Sequence, residues 1–376
     1  MAILLVGASV RALAESAVSA GEEVIAADLF SDQDLQAIAR VTHILPMENY
    51  PDSITSISAR YPGLARCYTG GLENRPVILQ SLAADGPLWG NNAEVVQPVR
   101  DPFQLHDFLD RLGFDVPAIR RHDHPPATTE GWLVKPNRGT GGTHIRLAGN
   151  KSASANEHFQ QIEQGIPCSA LFVGRKDESP LIGVSRQVLA GETTGPLGIP
   201  SPYAYVGSIG PLPSDSARDS ILGSLAQALV TEFKLRGFFG IDFLWDQKRV
   251  VIIEINPRYP ASAEVFEIAR QSSLFPLHRA VFTDARLEIA KLPAARHAIG
   301  KWILFAPEDG RLTQPLPTLA SGGGTLWCSD IPPIGRSFKK GEPVATMLMK
   351  ADTSSALPIW PAEQSEQLWR DYFSLL

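Results

Sequence analysis

Two apolar runs separated by four polar residues constrain this chain most. Phe238-Phe239-Gly240-Ile241-Asp242-Phe243-Leu244-Trp245 precedes Asp246-Gln247-Lys248-Arg249, and Val250-Val251-Ile252-Ile253-Glu254-Ile255-Asn256 follows it. Runs of this length and composition predict two buried strands joined by a tight connection. Asp242 is the only charge in the first run, and Pro257 and Arg258 close the second. Residues two apart share a strand face, so Glu254 and Asn256 point one way and Ile253 and Ile255 the other. A hairpin centred on Lys248 sets residue 242 opposite 254 with both side chains on one face. A slip of one residue separates them.

Two carboxylates directly opposed repel each other. One reading places a divalent cation between them, because Mg²⁺ takes one or two carboxylates together with substrate phosphates, and Asn256 offers a third oxygen. The other is a structural network in which Arg258 neutralises Glu254.

The chain has 376 residues, enough for two or three domains. A net charge of −6 argues against nucleic-acid and membrane-surface partners. Cys67, Cys168 and Cys328 are far apart and form no Cys-x-x-Cys pair, so neither a zinc knuckle nor a disulfide framework is indicated and a cytoplasmic location is expected. No basic segment precedes the N-terminal apolar run, which reads as a first strand rather than a leader. No apolar run reaches the roughly 18 residues of a membrane span.

Residues 2–6, 10–20 and 23–27 alternate strand, helix, strand, which predicts a parallel sheet continuing to about residue 98. A helix over 101–112 has Asp101 as N-cap and Pro102 as its first residue. Strands are expected at 132–136, 144–148, 168–173 and 181–190, and helices at 214–235 and 262–271. Residues 191–213, rich in Gly and Pro and carrying Tyr203 and Tyr205, read as a long loop lying over something. From about residue 295 a separate β-rich tail is expected, containing Gly322-Gly323-Gly324 and Pro332-Pro333. His122 and His124, beside Pro125-Pro126, read as a solvated loop.

Strand Trp132–Lys135 runs into Pro136-Asn137-Arg138-Gly139-Thr140-Gly141-Gly142. Such a loop admits backbone N–H groups to anionic oxygens, and a lysine at the strand end adds a point charge for phosphate. A glycine-rich hairpin turn is the plainer alternative. The stretch is not a Walker A motif. At the N-terminus, Gly7-Ala8-Ser9-Val10-Arg11-Ala12 fills only the first glycine of the dinucleotide fingerprint, although Asp28 stands where a ribose-binding acid does.

A β–α–β unit, then Lys135 with its glycine loop, then the Asp242/Glu254/Asn256 hairpin ending Ile-Glu-Ile-Asn-Pro-Arg resembles the ATP-grasp superfamily of carboxylate–amine ligases, over roughly residues 1–285. The resemblance implies an α/β and α+β ATP-grasp fold. Residues 1–98 form an N-terminal Rossmann-like domain, 99–290 the two α+β halves of the ATP-grasp domain, and 291–376 a C-terminal β-rich segment. It implies an ADP-forming ligase acting through an acyl phosphate, with ATP and Mg²⁺ (or Mn²⁺) and with a small carboxylate and an amine as substrates.

By the same resemblance Lys135 contacts phosphate and adenine, Gly139, Thr140, Gly141 and Gly142 form a flexible phosphate lid, Gln161, Ile162 and Glu163 form the adenine hinge, and Asp242, Glu254 and Asn256 hold the metal. Arg258 meets the transferred group. The chain departs from the family at Pro102, where a second phosphate lysine is replaced by Arg100 or by nothing, and at Pro167, where a ribose-binding acid is missing. Gly165-Ile166-Pro167-Cys168-Ser169-Ala170-Leu171 together with the Asn256-Pro257-Arg258 ending looks most like the tyramine–glutamate ligase group, implying glutamate and a role in methanofuran- or pterin-type cofactor synthesis. An NAD(P)-dependent oxidoreductase and a non-catalytic nucleotide-binding protein are the alternatives. Substrate identity and oligomeric state, a homodimer included, stay open.

Overall fold

A computed structural model describes the chain except residues 150–151, 177, 194–198, 200 and 320–325. The triple glycine at 322–324 and part of the 191–213 stretch therefore lie outside the described residues. A four-stranded parallel sheet opens the fold, in the spatial order Val41–Ile44, Glu23–Asp28, Ala2–Val6, Ala65–Tyr68. Helix Arg11–Ser19 follows its first strand as the alternation predicts. Asp28 is not placed to receive a ribose: it accepts hydrogen bonds from the backbone N–H groups of Val10, Phe30 and Ser31.

The body is an eight-stranded antiparallel sheet in the order Val250–Asn256, Gly237–Trp245, Ile166–Gly174, Leu181–Leu189, Tyr205–Gly210, Ala298–Phe305, Pro343–Ala351, Leu326–Ser329. Both its faces are covered, which explains the nearly unbroken apolar runs. Ala170 and Phe172 pack in one core with helix Ser216–Phe233, while Leu171 and Val173 pack in the other with helices Ala263–Arg270 and Phe275–Phe282 and the N-terminal unit. A smaller sheet, Ile119–Arg121, Glu157–Gln161, Trp132–Pro136, Arg146–Leu147, stands apart and joins the large one through residues 162–165. No helix among the described residues is long and apolar enough to cross a membrane.

Two expectations change. Residues 205–210 are a central strand rather than loop, paired with Leu181–Leu189 and Ala298–Phe305. Glycine in Tyr-Val-Gly-Ser-Ile-Gly mimics turn chemistry, but a Cβ on Gly207 would lie 2.4 Å from the Lys301 carbonyl oxygen, so that glycine marks close strand packing. The stretch beyond residue 295 consequently does not stand apart: its strand Ala298–Phe305 covers the edge that Tyr205–Gly210 presents.

His278 seals the junction between the N-terminal unit and the large sheet. Its ring stacks on Phe238 at 5.5 Å, Nδ1 accepts from the Phe238 N–H at 3.0 Å, and Nε2 donates to the Trp89 carbonyl at 3.0 Å. Burial pushes its pKa down from 6.5 to about 4. A folded pKa below the unfolded one gives stability that is complete above pH 6.5 and is lost as pH falls toward 4. The denaturation midpoint should drop across that window, and the drop should shrink in His278→Gln. An equal drop in both proteins would clear this ring of responsibility.

Candidate active site

The hairpin register is set by a bulge. From the turn outward Trp245 faces Val250, Leu244 faces Val251 and Phe243 faces Ile252. Ile253 is then skipped, and Asp242 faces Glu254, Ile241 faces Ile255 and Gly240 faces Asn256. Without the extra residue Asp242 would oppose Ile253. Bulges commonly re-aim side chains beside functional sites. One detail of the alternation changes with it: Ile252 joins Ile255 in the core, and Ile253 turns to line the cleft.

Asp242 accepts from Ser169 Oγ at 2.7 Å and from Asn256 Nδ2 at 2.9 Å. Burial, and then the charge of Glu254, push its carboxyl above the ordinary range. Burial acts the same way on Glu254, but Arg100 and Lys135 overcome it and hold that carboxyl low. Arg100, not Arg258, neutralises Glu254: its Nη1 donates to Glu254 and, at 3.0 Å, to the Ile255 carbonyl, while Nη2 reaches the Gly139 carbonyl at 2.7 Å. Arg258 instead pairs through Nε with Glu73 at 3.1 Å and through Nη2 with Asn256 Oδ1 at 3.2 Å, its guanidinium lying against Gly70. The oxygen donors Asp242, Glu254 and Asn256 thus converge on one face, with two like charges that a hard divalent cation would relieve.

Lys135 is buried, donates to Gln160 Oε1 at 3.1 Å, and burial lowers its pKa. Beside it His158 donates from Nδ1 to Asn137 Oδ1 at 2.9 Å, and burial followed by the Lys135 charge pushes the ring down to about 3. The glycine loop is tied down by its carbonyls: Gly139 to Arg100 and Asn74, Gly141 to the Tyr205 N–H at 2.9 Å. The N–H groups of Gly139, Thr140, Gly141 and Gly142 donate to no acceptor among the described residues, so they are available to an anion.

Gly142 has φ +71°, and a Cβ there would sit 2.1 Å from the Tyr203 carbonyl oxygen. Gly141 has φ +68° with open space around it, and Gly139 meets only ordinary contacts. Alanine should therefore disturb the loop most at 142, less at 141 and least at 139, read as accelerated proteolysis of residues 138–144. Equal effects at all three would refute this seating.

Between the hairpin, the loop and helix Pro102–Arg111 lies a cleft of about 820 Å³, counting its open mouth. Lys135, Gly139, Thr140, Gly142, Arg100 and Glu254 form its polar wall, and Val99, Leu105, Leu109, Ile119 and Ile253 its apolar wall. That mix of apolar wall and a few convergent polar groups suits a small-molecule ligand. Gln161, Ile162 and Glu163 are not among the lining residues; Gln161 ends the strand Glu157–Gln161, Ile162 and Glu163 begin the connection to the large sheet, and Glu163 approaches Arg249 at 3.9 Å. Gln160 and His158 line the cleft instead. Their two-residue spacing in strand Glu157–Gln161 was a readable signal. Glu73 and Asn74 had none.

Residues 99–262 match the family model of the ATP-grasp domain. An uncharacterized protein of Methanocaldococcus jannaschii is 23% identical, with 94% of this chain and 89% of that protein aligned. The biotin carboxylase domain of Hydrogenobacter thermophilus 2-oxoglutarate carboxylase superposes with a TM-score of 0.74 at 14% identity, over 99% of this chain and 90% of that one. N5-carboxyaminoimidazole ribonucleotide synthetase from Thermus thermophilus gives 0.68 at 17% identity, over 100% and 99%. Phosphoribosylglycinamide synthetase from Anaerococcus prevotii gives 0.67 at 13%, over 100% and 99%. The chain has the ATP-grasp fold.

Proposed function

We propose that the protein is an ADP-forming carboxylate–amine ligase that activates its acid as an acyl phosphate. The observation that carries this reading is the bulge that opposes Asp242 to Glu254, because Glu254 shares a cleft wall with Lys135 and the glycine loop. A carboxylate resists attack by an amine; transfer of the γ-phosphoryl group gives it a leaving group. In this scheme Lys135 and the loop N–H groups hold the nucleotide phosphates. Asp242, Glu254 and Asn256 would hold Mg²⁺ or Mn²⁺, which supplies charge neutralisation during transfer. The Hydrogenobacter domain was solved with MgADP, which supports that pairing of nucleotide and metal.

Arg258, kept in place by Glu73 and Asn256, donates to the oxyanion that forms when the amine adds to the acyl carbon. The amine proton leaves with phosphate and the amide remains. The apolar wall takes the adenine ring.

The finer resemblance to tyramine–glutamate ligases makes glutamate with an aromatic amine the first pair to try. Phosphate release should be screened across an amino-acid by amine matrix, with mass spectrometry of each amide. Release that requires both partners is expected. ATP binding with no turnover anywhere in the matrix would leave a nucleotide-binding protein.

A further inference from the structure

One short turn of the N-terminal unit touches both halves of the reaction centre. Leu72–Asn74 follows the strand Ala65–Tyr68 and is fixed from three sides. Leu72 is fully buried in the N-terminal core, Gly71 takes φ +99°, and the Gly71 N–H donates to Glu73 Oε2 at 2.6 Å. Glu73 turns its other oxygen to Arg258. The next residue, Asn74, points its amide the opposite way. Its Nδ2 donates to the Gly139 carbonyl at 3.2 Å and to Thr140 Oγ1 at 3.0 Å, while its Oδ1 accepts from Arg100 Nε at 3.3 Å.

These three hydrogen bonds use the amide nitrogen as donor and the oxygen as acceptor, which fixes one orientation of the amide. Arg100 closes the triangle by donating to the same Gly139 carbonyl. The glycine loop therefore takes its position from a rigid turn outside its own sheet. With the Gly139 carbonyl drawn toward Asn74 and Arg100 and the Gly141 carbonyl toward Tyr205, the N–H groups of the loop are left for the ligand.

We propose that Asn74 is a positioning residue that seats the glycine loop over bound nucleotide, and that Leu72–Asn74 links that seating to Arg258 through Glu73. This role rests on the nucleotide reading given above. An acceptor pressing on Arg258 and an anion under the loop then stabilise the same turn, so each site favours the ordered form of the other.

The full-length protein is titrated with Mg·AMPPNP by calorimetry, and hydrogen exchange is followed over residues 138–144. The wild type should bind and protect the loop. Asn74→Ala should keep its circular dichroism, bind about tenfold more weakly, as loss of ordinary hydrogen bonds predicts, and lose the protection. Asn74→Asp keeps an acceptor for Arg100 but removes both amide donations, and should behave like Asn74→Ala; being nearly isosteric, it carries the test if the alanine variant fails to fold.

Wild-type affinity and protection in the variants overturn the role of Asn74 while leaving the nucleotide reading intact. Recovery in Asn74→Asp alone shifts the effect to Arg100 and also overturns it. Absence of binding by the wild type removes the nucleotide reading, and this role with it.

Discussion

Asp242→Asn and Glu254→Gln should each reduce amide formation by about 10²–10³-fold or more, the scale on which a single charge-stabilising group acts in an active site. Both carboxylates face one point because Ile253 is bulged out of the ladder. Losing either leaves the transferring phosphoryl group with less compensation. The two variants should differ in stability. Asp242 has its own charge opposed by Glu254 in a buried place, so an amide there removes a repulsion and should leave the midpoint of unfolding unchanged or raised. Glu254 neutralises the buried Arg100, so its amide strands a cation and should lower the midpoint. Thermal scans beside product assays test both halves. Full activity in either variant would falsify the metal assignment.

Arg11→Ala should produce the largest loss of stability, about 3–5 kcal/mol, because it removes one partner from a buried charge network. Arg11 lies on the first helix, is 1% exposed, and pairs with Glu264, with Asp330 at 3.0 Å and with Glu15 at 3.1 Å. Glu264 also pairs with Lys301 from strand Ala298–Phe305. The network thus joins the N-terminal unit, the helix that follows the hairpin and the C-terminal strands. Without Arg11, Asp330 loses the partner that holds it far below the usual carboxylate range against burial. Denaturant unfolding should show the midpoint falling in step. A change below about 1 kcal/mol would mean that the acids find other partners.

The residues that were readable in the sequence are those whose signal is local. The hairpin announced itself by two apolar runs around four polar residues, and the helix at Pro102 by its Asp101 cap, which accepts from the Phe103 and Gln104 N–H groups. The bulge was invisible because the skipped residue, Ile253, is identical to Ile252 before it. Strand Tyr205–Gly210 was hidden by glycines needed for close packing, Gly207 against Lys301 and Trp302 and Gly210 against Ser185, since tertiary pairing overrides turn chemistry.

The counter-charges were out of reach for another reason. Arg100 meets Glu254 across 154 residues, and Arg258 meets Glu73 across 185, with nothing in either neighbourhood to suggest the match. Arg258 follows Glu254 closely in sequence and so stood as its nearest cation. The fold gives it to Glu73 because Gly70 lies against its guanidinium and Glu73 Oε1 accepts from its Nε.

The central claim is that the acid is activated by phosphoryl transfer before the amine arrives. Its most direct measurement uses the substrate pair found in the matrix, with the acid's carboxylate labelled with heavy oxygen, and mass spectrometry of the released phosphate. Attack of the labelled oxygen on the γ-phosphorus, followed by amine attack on carbon, sends one labelled oxygen into phosphate for every amide formed. Amide formed alongside unlabelled phosphate would contradict the account.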